Sequence, residues 1–311
     1  TCNKMVYGGT VTNTGSLTAD TESTIGDVAL TINGGEFKDK VVGGSRVVAS
    51  ENSDANVTTN VGNVTLNIDG GDFADTIFGA GYILGNKNDD GNESNALLKV
   101  AGVTMTLNGA EVADIAGKNA DGIYAGGLAA RGAKIYVGSA AQAQDENATC
   151  GVSITVNSGK YTSIYGGGWA ESGATVTVYG VSINVNGGEI ANLYGGGNND
   201  QSGARTYVDG NVLITISGGK VDNVCAGAKF VTSKVKGRST IQITGNATIG
   251  NLCGLSNNNY DGVVNDQILD VDAALSCNSI SGFDIINIAS GKDIDIASAF
   301  DLSGVELNIA G

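Results

Sequence analysis

The chain has 311 residues, 49 of them Gly and none Pro, and a net charge of −15. An apolar fraction of 41% is enough for a real core and argues against disorder, while an acidic surface repels nucleic acid and anionic membranes. With no His, the commonest general base and metal ligand are gone, together with every Ser-His or Cys-His arrangement.

No run of 18 apolar residues occurs, so no membrane-spanning helix is expected. The chain begins at Thr1 rather than Met, which reads as a processed mature chain or an excised segment. Five cysteines (Cys2, Cys150, Cys225, Cys253 and Cys277) form no C-x-x-C pair, so no zinc site is expected.

One pattern recurs along the chain: an alternating strand, a Gly corner, a charged residue, an apolar pair and more glycine. It reads VALTINGGEFKDKVVGG from Val28 to Gly44 and VTLNIDGGDFADTIFGA from Val64 to Ala80. A looser copy, VTMTLNGAEVADIAG, starts at Val103. VSITVNSGKYTSIYGGG then runs from Val152 to Gly168, VSINVNGGEIANLYGGG from Val181 to Gly197, and VLITISGGKVDNVCAGA from Val212 to Ala228. A degenerate copy begins at Ser239. From Phe283 the alternation persists (Ile285, Ile288, Ile294, Ile296, Val305, Leu307, Ile309) but the Gly-Gly corners are lost.

In the copy from Val181, residues Val181, Ile183 and Val185 share one face and Ser182 and Asn184 the other. That period of two marks a strand with one buried face. The same residue type returns at the same place every 28 to 46 residues, which a Greek-key sandwich does not require and a coil does. The expected fold is all-β: a single parallel β-helix, or β-solenoid, of about nine coils, roughly 43 Å long at about 4.8 Å per coil. One domain spans 1–311, with regular coils over about 5–255 and degenerate coils over about 256–311. The polar stretches NKNDDGNESN and GSAAQAQDENAT read as loops inserted on one side.

The run I-x-V-x-G-G-x-I-x-x-L-Y-G-G-G resembles repeats of adhesin-like surface proteins of gut and oral bacteria, which are similar in being Gly-rich, acidic and poor in His. The resemblance covers Met5 to about Leu255. It implies an extracellular or cell-surface protein without enzymatic activity, either a rigid structural subunit or an adhesin module that takes glycan or protein on its loop-bearing side. Parallel β-helices also include polysaccharide lyases and hydrolases. Asp72 with Asp75, or Asp89 with Asp90, are the carboxylate pairs such chemistry would use, but no Arg or Lys clamp accompanies them.

Several columns follow from the repeat. The residue after each Gly corner is Glu36, Asp72, Glu111, Lys160, Glu189 and Lys220 in turn. The last three alternate in sign and favour register. The first three are acidic, which invites a bridging Ca²⁺ or leaves three solvated carboxylates. Asn86, Asn88 and Asp90 fit the first half of a calcium loop, but Leu97 stands where its final Glu belongs. Tyr7, Val42, Phe78, Tyr124, Tyr165, Tyr194, Cys225 and Cys253 form one column, an exposed stripe for sugars or a buried row. Cys225 and Cys253 are expected as stacked thiols. No cap is evident at either end, so Met5 and Tyr7 at one end and Val305, Leu307 and Ile309 at the other are the expected assembly residues. They would join identical copies head to tail, or receive neighbouring domains of a longer surface protein.

Overall fold

The structure is a computed structural model. It describes residues 1–14, 19–49, 55–86, 94–112, 122–140, 151–199, 203–229, 233–254, 266–298, 300 and 302–310. Every element defined among them is a β-strand. The strands form one 25-stranded sheet, one six-stranded sheet and one two-stranded sheet. Every strand pairing among the described residues is parallel. Partners come from successive repeats in register: Ile183 pairs with Ile154 on one side and Ile214 on the other. This is the pairing of a parallel β-helix, in which the chain must travel a full circuit before it meets itself.

The alternation in the sequence decides which side is inside. Val181, Ile183 and Val185 are fully buried, while Ser182 and Asn184 face outward. Equivalent Val, Ile and Leu side chains from Val28 to Ile286 make one continuous core cluster. Each is held by partners above and below, so the core is built of columns of aliphatic side chains in contact with their own kind.

Glycine lets the corners close. A Cβ on Gly166 would lie 2.3 Å from Val181 Cγ1 and 2.6 Å from the Gly195 carbonyl oxygen. One on Gly195 would meet Val212 Cγ1 at 2.3 Å and the Ala226 carbonyl oxygen at 2.4 Å. Neighbouring coils approach too closely there for any side chain.

The polar stretches expected as loops on one side, NKNDDGNESN and GSAAQAQDENAT, fall largely outside the described residues.

Candidate functional site

The register brings the charged residues into a single file. Glu36 pairs with Asp72, Asp72 with Glu111, Glu111 with Lys160, Lys160 with Glu189, and Glu189 with Lys220. Thr248 follows Lys220. The Glu36 carboxylate is engaged by Lys38 and accepts a 2.8 Å hydrogen bond from the Thr1 hydroxyl. These bonds hold its pKa below the ordinary carboxylate value. Among the described residues no three Cys, Asp or Glu side chains converge as a metal site would need. The lower part of the file lines an open groove of about 410 Å³ with Glu111, Lys160, Glu189, Lys220 and Asp222 on its walls.

The aromatic column is equally in register. Tyr7, Val42, Phe78, Tyr124, Tyr165, Tyr194, Cys225, Cys253 and Ser281 follow one another strand by strand. Tyr124 and Tyr165 stack at 4.4 Å with an interplanar angle of 2°, and Tyr165 and Tyr194 at 4.9 Å and 6°. Phe78, Tyr124 and Tyr165 are buried, so no exposed aromatic stripe forms along them. They belong to a second cluster, apart from the main core, that also contains Leu128 and Trp169. The glycines between Tyr165 and Trp169 fold the chain so that both rings face one concave corner. Tyr82, Leu128, Trp169 and Asn198 run in register along its other wall. The Asn198 amide spans the corner and donates to the Tyr124 hydroxyl at 2.8 Å. This opposing wall was missed in the sequence. Its signal was the residue four places after Phe78, Tyr124, Tyr165 and Tyr194, which varies too much in type to stand out.

Two ladders of amides were also missed. Asn108 donates to Asp69, Asn157 to Asn108, Asn186 to Asn157, and the Ser217 hydroxyl to Asn186, at 2.7 to 3.0 Å. A second file runs from Ser279 through Asn251 and Asn223 to Asn192, at 2.7 to 3.1 Å. Asn or Asp just before the Gly corner was the available signal for the first ladder.

The remaining candidates lie apart from one another. Asn86 is buried and its Oδ1 accepts from the Ser94 hydroxyl at 2.8 Å; Asn88 and Asp90, with Asp89, lie outside the described residues. Asp75 is buried and ion-paired with Lys40 at 2.9 Å, and it accepts from the Thr76 amide at 2.7 Å. Cys225 and Cys253 are thiols, not a disulfide, on paired strands. The hydrogen bond from the Cys225 side chain and burial push the Cys253 thiol above its ordinary pKa. Met5 and Tyr7 are half-buried at one end of the stack. At the other end Val305 packs on the core, while Leu307 and Ile309 stand 41% and 66% exposed.

No family model, curated protein or solved structure matches this chain. What the geometry offers is therefore read from the molecule alone. It presents ordered files of charge along the sides, and among the described residues Val6–Tyr7 and Glu306–Ile309 each pair along one edge.

Proposed function

We propose that this chain is a non-enzymatic, extracellular structural protein, a parallel β-solenoid of about nine coils whose copies stack end to end into a filament or stalk. The column Tyr7 to Ser281, nine residues on successive strands, supports a count of that order. The extracellular placement rests on the resemblance of the Gly-rich repeats to adhesin-like surface proteins.

The observation that carries the reading is the last strand. Glu306–Ile309 pairs with Ile285–Ile288 along one edge only, among the described residues, and exposes Leu307 and Ile309 beside its open edge. Open edges of this kind recruit another strand. At the opposite end Val6–Tyr7 pairs only with Val41–Val42, among the described residues, and Val11 is 51% exposed. The two ends differ, so their contact is heterologous and propagates unless it closes a ring.

Negative-stain microscopy of the purified chain tests this. Filaments or short stacks are expected, and the variant Leu307→Asp/Ile309→Asp should give single rods about 43 Å long. A parent chain that stays monomeric at high concentration overturns the filament. It would favour an adhesin module, taking glycan or protein on its side, within a longer surface protein.

A further inference from the structure

We propose that the chain also pairs side by side with a second copy of itself, antiparallel, through the file Glu111–Lys160–Glu189–Lys220. This surface is distinct from the ends on which the filament depends.

The argument starts from the order of charges. Along four successive strands the file reads acid, base, acid, base. All four side chains are exposed. The side chains of Glu111, Lys160 and Glu189 make no hydrogen bond or ion pair within the described residues, although opposite charges stand on adjacent strands; the Lys220 side chain holds Asp222 at 3.0 Å. Between the charges the groove is lined by Thr162 and Ala191 and by Val112, Tyr161 and Ile190, the last three almost fully buried and so not projecting from the sheet. A facing sheet can therefore approach to the usual spacing of about 10 Å while the long charged side chains bridge the gap.

Geometry then selects the partner and its direction. A two-fold axis between Lys160 and Glu189, perpendicular to the stack, sets Lys160 against Glu189 of the second copy and Glu111 against Lys220. All four contacts join opposite charges, and the interface is self-complementary, as a two-fold dimer requires. Asp72, the next residue up the file, meets neutral Thr248. A parallel partner in register sets like against like throughout. A parallel partner slipped by one strand brings Glu111 against Asp72, acid on acid, and Asp72 against Glu36. Only the antiparallel arrangement leaves no repulsive contact along the file.

The same symmetry supplies a sharp test. The end-blocked chain Leu307→Asp/Ile309→Asp, studied by sedimentation velocity, removes head-to-tail contacts. It should sediment as a dimer at low salt and as a monomer at high salt. Lys160→Glu sets two acids against each other twice, and Glu189→Lys does the same with two bases, so each alone should be monomeric. Mixed in equal amounts they should form a heterodimer, because the acid introduced at position 160 of one chain then meets the base introduced at position 189 of the other. The double exchange Lys160→Glu/Glu189→Lys should dimerise like the parent, which keeps the test available if one single variant folds poorly. A monomeric parent at low salt, single variants that dimerise as the parent does, or a mixture that stays monomeric would each overturn the proposal.

Discussion

The coils between Val152 and Cys225 and those between Gln267 and Ile309 share one parallel register, yet they differ in circumference. In the first region hydrogen-bonded partners on successive coils are 29 and 31 residues apart. In the second the interval falls to 17 and then 21. A shorter circuit encloses less interior. Ile183 and its equivalent Ile286 are both buried, but Ile288, in the place of fully buried Val185, is only partly so, as are Ile294 and Ile296, and Ile309 is mostly exposed. The alternation is the same in both regions. What the narrow coils lack is the Gly corner and the concave aromatic cluster it creates. Register alone makes a sheet, and corner chemistry decides how much core the sheet wraps.

The largest expected contrast lies at the glycines. Gly195→Ala places a methyl against Val212 and the Ala226 carbonyl, so it should cost about 3 kcal/mol, as overpacked sites do. Gly304, at φ +79° with nothing within 4 Å, should cost about 1 kcal/mol for the left-handed backbone alone when changed to Ala. Denaturant midpoints of the two variants decide it; equal losses would mean the corner can relax. Core truncation should rank the regions in the same way. Ile183→Ala is expected to lose about 3 kcal/mol and Ile296→Ala about 1 kcal/mol, since a half-exposed side chain leaves little cavity. Equal unfolding shifts would show the narrow coils to be as tightly packed as the wide ones.

Alkaline pH should separate the regions last and least. Burial pushes the Tyr161 and Tyr165 hydroxyls well above their ordinary value of 10.0. Unfolded tyrosine releases its proton near pH 10 while these hold theirs. Their contribution is thus fully present below about pH 10 and is lost as pH rises beyond it. Absorbance at alkaline pH should show late ionisation coinciding with unfolding, and Tyr165→Phe should flatten the pH dependence. The stretch from Gln267 to Gly311 contains no Tyr, and there only the Cys277 thiol is pushed up, by burial and by Asp295, so hydrogen exchange in it should respond less over the same range once chemical rates are corrected.

Much of this architecture was legible in the sequence because a solenoid repeats its instructions. The column Tyr7 to Cys253 and the charged file from Glu36 to Lys220 could be written down from spacing, and both occur in register. The concave corner was not legible. Trp169, Leu128 and Tyr82 share a wall but no residue type, and only the close approach of the glycines folds that wall onto the tyrosines. The asparagine ladders were hidden for another reason. Asn is common in turns, so its recurrence before the Gly corner carried no weight until the strands stood side by side.

The ladder from Ser217 to Asp69 gives the rod an electrical sense. Every donor in it points toward the N-terminal end, and so does every donor in the ladder from Ser279 to Asn192. Aligned amides polarise one another, and their positive ends face the first coils. Acids wait there: Asp69 closes the first ladder, and Asp20, Glu22 and Asp27 accept from Asn56, Asn60 and Asn63. Carboxylates sit in the same relation to the N-terminus of a helix. A molecule wired in this way has a front and a back. One rod can follow another in single file, as a row of bar magnets does, while two meeting front to front would repel.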